Sequence, residues 1–309
     1  NCLKKISYEL NQLKPDIVVL LGDRFEILAS AIAATILNIP IAHIHGGEIT
    51  QGAIDEAFRH SISKMALFHF AATDKYRNRI IQLGEDKERV FNVGAMGIDA
   101  IRNVKLFSRS YLNKKFDFDI ESSYLMVTFH PETLNKMNPK DQIDIILKSL
   151  KEFKNINIVF TGSNIDTGGD EINNKIVSFV EKNRNFHFFK SLGQKLYFSL
   201  LKYSSGVVGN SSSGILEAPF FNIGTVNIGN RQKGRLMSDS ILNVPYDKKQ
   251  INKAIDTILT NEFRIKIKDK HRQSPYGRGG ASKKIFKILQ KQLISSDSLN
   301  LNKNFNDIL

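Results

Sequence analysis

Two short apolar runs, Ile17 to Leu21 and Ile39 to Ile44, each close on a cluster of ionisable residues. The stretch that carries them, DIVVLLGDRFEILASAIAATILNIPIAHIHGGEITQGAIDEAFRH (residues 16–60), constrains the fold more than any other part of the chain. The first run is aliphatic and β-branched, bounded by Pro15 and Gly22, and reads as a strand buried on both faces. Phe25 to Leu37 then reads as an Ala-rich helix, Pro40 ends the connection, and Gly46 and Gly47 break the second run. The pattern is a βαβ unit. Its strands are expected to be parallel neighbours, with Asp23, Arg24, His43 and His45 at their carboxyl ends, the edge at which open α/β sheets take ligands.

The same alternation continues. Helices are expected over Ile54–Leu67 and Asp74–Leu83, and strands over Phe68–Ala72 and Val90–Val93. Asp55 and Glu56 fall in the first turn of the first of these helices, where the helix dipole favours acids. Residues 97–123 loosen into mixed polar and aromatic sequence and read as a hinge. Beyond it, strands are expected at Tyr124–Phe129, Ile156–Phe160, Phe186–Phe189, Gly206–Val208 and Thr225–Ile228. They alternate with helices at Pro139–Phe153, Ile172–Asn183 and Lys195–Tyr203, and from the turn Gly209–Ser213 to about Phe220. Residues 249–271 read as helical, and a last helix, Ala281–Leu293, follows the turn SPYGRGG. The fold class is α/β, two Rossmann-like doubly wound domains, 1–105 and 106–272, with a ligand expected in the cleft between them.

Composition narrows the function. The chain has 309 residues and a formal charge of +13. Its lysines are spread through surface helices and loops, without a dense basic block or any RNA-recognition or zinc-finger signature. The charge therefore reads as solvated surface that also attracts an anionic substrate, with no nucleic-acid partner. No run approaches the roughly 18 to 20 apolar residues of a membrane span, so no membrane partner is expected. Cys2 is the one cysteine, which rules out a disulfide within one chain and fits the cytoplasm. The opening NCLKKISYELNQLKPD reads as the second half of a helix feeding a strand, as if the chain began inside a domain lacking its opening strands.

Several constellations can carry chemistry. Gly209, Asn210, Ser211, Ser212, Ser213 and Gly214 form a small-residue turn between a strand and a helix, which can receive a phosphate on backbone N–H groups and hydroxyls. Arg231 and Arg235, in GNRQKGR, can supply bidentate cations, the alternative being a capped helix with surface arginines. Glu217 can accept hydrogen bonds from a ribose diol or be an ordinary helical Glu. His130, in VTFHPET, follows a strand and precedes Pro131, a place for either a catalytic or a structural histidine. In the first half Asp23, Arg24, Glu26, His43, His45, Glu48, Asp55, Glu56, Arg59 and His60 make an ionisable rim suited to general acid and base work. A metal at His43 and His45 is the disfavoured alternative. On the helix, Arg59, His60 and Lys64 are expected in solvated or intra-domain roles. His69 reads as a core or cleft-edge histidine, and His187 and His271 have no catalytic company.

At these residues the sequence resembles the hydrolysing UDP-N-acetylglucosamine 2-epimerases of sialic acid synthesis and their relatives acting on UDP-N,N'-diacetylbacillosamine in legionaminic acid synthesis. The matching segments are GDRFE (22–26), HIHGGE (43–48), GAIDEAFRHSISKM (52–65), His130-Pro131, GNSSSG (209–214), GNRQKGR (229–235) and SPYG (274–277). The resemblance implies a glycosyltransferase-B type fold. By it the helix within 273–294 would cross back to the first domain, while 295–309 reads from its own sequence as a polar, frayed tail. It also implies a reaction without metal, nicotinamide or other cofactor. A base removes the sugar's C2 proton, UDP leaves by anti elimination to give a 2-acetamidoglucal, and water adds to release the free 2-epimer. By the match, Asp23 and Asp55 are acid/base candidates, Arg24 and His130 lie by the diphosphate, Ser211, Ser212 and Arg231 hold phosphate, and Glu217 holds the ribose.

Two departures stand out. Many members carry Glu where this chain has His45, so either Glu48 or His45 itself is expected to take over that role. The family's opening strand and basic loop lie upstream of Asn1, so a chain starting there is expected to fold poorly and not turn over. The motifs fit both the 6-hydroxyl and the 4-acetamido-6-deoxy sugar. A homo-oligomer is expected; a sugar transferase on the same fold and a non-catalytic nucleotide-sugar binder are the alternatives.

Overall fold

The structure is a computed structural model that describes residues 1–50, 54–132, 135–163, 168–268, 274–294 and 299–307. Gly52, Ala53 and His271 lie outside the described residues. The chain begins α1 (Cys2–Leu13), β1 (Val18–Leu21), α2 (Phe25–Ile36), β2 (Ile41–Ile44), α3 (Asp55–Met65), β3 (Phe68–Ala71), α4 (Asp74–Gln82) and β4 (Val90–Asn92). It continues with α5 (Met96–Asn103), α6 (Arg109–Lys115), β5 (Tyr124–Thr128), α7 (Pro139–Leu150), β6 (Asn157–Thr161), α8 (Gly169–Val180), β7 (Phe186–Phe189), α9 (Gly193–Tyr203) and β8 (Gly206–Gly209). It ends with α10 (Ser213–Leu216), β9 (Thr225–Ile228), β10 (Ile241–Val244), α11 (Lys248–Leu259), α12 (Asn261–Ile267) and α13 (Ala281–Ile294). The elements form two compact units, residues 1–50, 54–99 and 276–309 in one and 100–275 in the other with 51–53.

In the first unit β1 to β4 lie side by side in sequence order, all parallel. Alternate residues feed opposite faces. Leu20 and Ile41 pack with Ala31 and Ala34 of α2 and Ile62 of α3, whereas Ala42, Ile44, Phe68 and Phe70 pack with Ala281 and Ile285 of α13. The double burial expected of β1 is corrected here. As an edge strand with only one covered face, it leaves Val19 48% and Leu21 52% exposed. The polar tail is also not frayed over its described part. Lys303 Nζ reaches Glu85, and the N–H of Asn306 donates to the carbonyl of Gly84 (3.0 Å).

The second unit holds a six-stranded parallel sheet of order β10-β9-β8-β5-β6-β7. Along β5, Leu125 and Val127 enter one core with Ile143, Ile158 and Ile255, while Tyr124 and Met126 enter another with Leu112 and Leu200. That alternation is the period of two that a strand covered on both faces requires. The chain winds outward from β5 through β6 to β7, then returns to β8 and winds the other way, so the strand order reverses between β5 and β8. Such a reversal opens a crevice at the carboxyl ends.

Local signals explain most boundaries. Asn138 caps α7 by accepting from Asp141 N–H, with Pro139 at the first helical position, and Asp247 caps α11 by accepting from Gln250 N–H. Thr260 ends α11 and caps α12, so the single helix expected over 249–271 is two. The expected hinge carries α5 and α6, and Ser108 caps the latter. The helix expected to reach Phe220 is only four residues of α10, followed by a 3-10 turn over Ala218–Phe221. β10 was not anticipated.

Candidate functional site

In the first unit the organising residue is Arg59, 1% exposed on α3. Its Nε donates to Asp23 Oδ2 (2.8 Å) and its Nη2 donates to the same oxygen. Nη2 also donates to Thr50 Oγ1 (2.7 Å), and Nη1 donates to Glu56 Oε2 (2.7 Å) and the carbonyl of Glu48 (3.0 Å). A buried guanidinium with every donor directed is a rigid clamp. It fixes the turn after β1 and the turn after β2 to one helix. Asp23, 22% exposed at its side chain, takes both bonds on Oδ2, and Oδ1 takes none among the described residues. A carboxylate held this way keeps one oxygen available for proton transfer.

Asp55 opens α3 one turn before Arg59 and is half-buried. Its neighbour Glu56 is structural: its Oε2 also accepts from Thr50 N–H (2.6 Å), and its Oε1 lies 3.2 Å from His60 Nε2. Burial pushes the Glu56 carboxyl up, but the His60, Thr50 and Arg59 contacts outweigh that and hold its pKa at about 2.

His45 adopts a left-handed backbone (φ 69°) between β2 and Gly46. The N–H of Met96 donates to its Nε2 (3.1 Å), which must therefore carry the lone pair. Nδ1 then bears the proton and donates to Glu48 Oε1 (2.7 Å). The imidazole is thus the neutral Nδ1–H form, and its contact with Glu48, 3% exposed, anchors that carboxylate. His43, expected on the ionisable rim, is instead fully buried. Its Nε2 meets the carbonyl of Gly22 (2.9 Å), its Nδ1 meets Ser63 Oγ (3.1 Å), and burial lowers its pKa to about 3. The reason is register: His43 sits mid-strand opposite Leu20, inside the sheet and not at its end. Arg24 Nε pairs with Glu26 Oε1 (2.8 Å) and stays half exposed at the start of α2. His69 is a core residue paired with Glu85 (3.0 Å).

In the second unit, Asn210, fully buried after β8, links the two strands that flank the reversal of strand order. Its Oδ1 accepts from His130 N–H (2.8 Å), and its Nδ2 donates to the carbonyl of His130 (2.8 Å). The carbonyl of Asn210 accepts from Gln232 Nε2 (2.8 Å) and Arg231 Nη1 (3.4 Å), which brings His130, the serine turn and Arg231 together. Glu132 accepts the N–H groups of Asn230 (2.6 Å) and Arg231 (3.0 Å) and so fixes the loop after β9. The His130 ring lies against Ser163 (Nδ1 to Oγ 3.3 Å). Ser211 and Ser212 are half-buried, and their N–H groups take no acceptor among the described residues. Gly209 makes the turn possible. Its φ is 132°, and a Cβ there would lie 2.0 Å from the carbonyl of Thr128. Tyr197 OH bonds Ser213 Oγ (2.5 Å), and Glu217, half-buried, lies close enough to help raise the Tyr197 phenol pKa, which burial chiefly pushes up. His187 stacks on Phe118 and lies near Asn157, away from these groups.

Sequence reasoning allowed Arg59 an intra-domain role without naming its partners, and missed the roles of Asn210, Gln232 and Glu132. A buried Arg inside a helix with acids before it was the one available signal. Among the described residues no group of three or more His, Cys, Asp or Glu can hold a metal, and no helix is long and apolar enough to cross a membrane.

Two α/β units, each built on a parallel sheet and the second with a reversal of strand order, have the architecture of a nucleotide-sugar enzyme of the glycosyltransferase-B type. The UDP-N-acetylglucosamine 2-epimerase family model matches residues 1–290, and the chain belongs to that family. It is 39% identical to the GDP/UDP-N,N'-diacetylbacillosamine 2-epimerase (hydrolyzing) of Campylobacter jejuni, over 84% of this chain and 67% of that protein. It is also 39% identical to the polysialic acid biosynthesis protein P7 of Escherichia coli, over 99% of this chain and 77% of that protein. Against the UDP-N,N'-diacetylbacillosamine 2-epimerase (hydrolyzing) of Legionella pneumophila the identity is 37%, over 93% and 74%. In fold it is similar to the UDP-GlcNAc 2-epimerase of Neisseria meningitidis bound to UDP-GlcNAc, with a TM-score of 0.79 and 20% identity, covering 94% of this chain and 80% of that one.

Proposed function

We propose that the chain is a hydrolysing 2-epimerase of a UDP-linked 2-acetamido sugar. A base takes the C2 proton, the C1–O bond to UDP breaks on the opposite face to leave a 2-acetamidoglucal, and water then adds across the double bond. The products are UDP and the free 2-epimeric sugar. No carbonyl acidifies the C2 proton, so stabilising the departing diphosphate matters as much as the base.

Asp23 and Asp55 are the proton carriers in this reading, with Glu48, anchored by His45, as a third candidate carboxylate. The observation that carries it is the Arg59 clamp, which occupies one oxygen of Asp23 and leaves the other for chemistry. Ser211, Ser212 and Arg231 hold phosphate, Arg24 and His130 assist the diphosphate, and Glu217 takes the ribose hydroxyls. The unaccepted N–H groups of Ser211 and Ser212 support the phosphate role. The names of the Campylobacter and Legionella relatives make UDP-N,N'-diacetylbacillosamine the first substrate to try and UDP-N-acetylglucosamine the second. The same reading places the enzyme in the cytoplasm, in accord with its single exposed Cys2, and in a homo-oligomer, which light scattering tests.

The deciding experiment is incubation with each UDP-sugar in deuterated water. Release of UDP with deuterium at C2 of the free epimer is expected. Product without that deuterium overturns the elimination route, and an intact UDP-sugar leaves a binding protein in its place.

A further inference from the structure

The C-terminal tail enters the first unit at the end of α3 opposite Asp55. Lys303 Nζ lies 2.7 Å from the carbonyl of Lys64, 2.6 Å from the carbonyl of Ala66 and 2.7 Å from Glu85 Oε2. The first two are carbonyls of the last turn and C-cap of α3, which the helix itself leaves without donors. Ala66 is fully buried, so its carbonyl has no ready access to water. An ammonium at that end also answers the negative end of the helix dipole. The socket is closed by Glu85, 3% exposed, whose other oxygen takes Lys64 Nζ (2.6 Å). Around it the Phe305 ring packs on Gly84 and lies by Lys64 Nζ, so the described tail is seated by more than one side chain.

An eleven-residue helix is a rod of about 16 Å. α3 is tied near its middle by Arg59 to Asp23 and at its C-terminal end by Lys303 and Glu85. We propose that Lys303 is a positioning residue of the reaction: it caps α3 from outside and so holds Asp55 and Arg59 where Asp23 needs them. This inference rests on the proton-carrying role assigned to Asp23 and Asp55 above. Misplacement by about 1 Å of groups that carry a proton can cost about 100-fold in rate, so a partial release of α3 is enough to be measured.

The test compares Lys303→Met, which keeps the stem and removes the ammonium, with Lys303→Arg and with deletion of residues 299–309, all in the full chain. Expected for Lys303→Met is a fall in kcat of about 5- to 20-fold with KM and UDP affinity within about twofold, together with faster amide exchange over residues 62–67. Lys303→Arg is expected to recover most of both, and the deletion to match or exceed the Met variant. An unchanged kcat in Lys303→Met overturns the proposal, and so does a loss of kcat without faster exchange in α3. Equal losses of kcat and UDP affinity also overturn it, because they report general damage. If the unaltered protein releases no UDP from any UDP-sugar, the proposed reaction falls. The exchange comparison then still decides whether Lys303 holds α3.

Discussion

Arg59 and Asp23 are coupled but separable by experiment. Removing the guanidinium leaves Asp23 and Glu56 without their buried counter-charge, so Arg59→Met is expected to destabilise the first unit by about 3–5 kcal/mol. Asp23→Asn keeps an acceptor for Arg59 and leaves it Glu56 as counter-charge, so it is expected to cost less stability than Arg59→Met while cutting kcat at least about 100-fold. Chemical denaturation and initial-rate kinetics on both variants check the contrast. Glu56 makes a second prediction. Its folded pKa, about 2, lies below the ordinary 4.5, so the unfolded chain binds the proton more readily. Its stabilisation is fully present above about pH 4.5 and is lost as pH falls toward about 2. Urea midpoints at pH 6 and pH 3.5 are expected to differ by less in Glu56→Gln than in the parent. Both residues stood on the ionisable rim read from the sequence, but the buried clamp that joins them was not legible there. An Arg in EAFRH reads as helix surface, because arginine is seldom fully buried unless paired, and its partner Asp23 is 36 positions away.

The strands and helices were legible where local chemistry decides them. Val18–Leu21, Phe186–Phe189 and Thr225–Ile228 are β-branched or aromatic runs between turn residues, and they fold as that pattern dictates. β10 was hidden because ILNV is short, half exposed and follows a polar loop, so its pairing with β9 comes from the sheet and not from propensity. α10 stops early because Pro219 stands two residues beyond Glu217, where it cannot continue the helix. The turn before α10 was legible, and Gly209 gives it a sharp test. Ala there would need a rare backbone region and a contact of 2.0 Å with the carbonyl of Thr128. Strain of this kind costs on the order of 1–3 kcal/mol before any displacement of β5. Gly209→Ala is expected to lower the melting temperature and weaken UDP binding together, as read by thermal denaturation with and without UDP.

For the molecule as a whole, two α/β units were legible in the largely alternating helices and strands between Asp16 and Ile228. The formal charge of +13 carries no such detail, because it fixes neither sheet order nor site. Each unit has separate cores on the two faces of its own sheet, so a ligand held by one need not stabilise the other equally. UDP at about 100 times its Kd is expected to stabilise the state that binds it by about 2.7 kcal/mol. Amide exchange should show the largest protection over residues 209–217 and 229–235, with smaller changes in β2 and β3. Uniform protection of both sheets would contradict the assignment of phosphate to the serine turn.

The donation from Met96 N–H into His45 gives this protein a built-in reporter. In water an imidazole favours the proton on Nε2, so a histidine held in the other tautomer has a distinctive nitrogen NMR signature. That signal depends on both the Met96 contact and the Glu48 contact. It will persist while the loop after β2 keeps its place and collapse to the ordinary pattern when the loop opens. With nitrogen-15 histidine, any displacement of residues 45–48 on binding a nucleotide sugar would be read at a single ring, without substituting a residue.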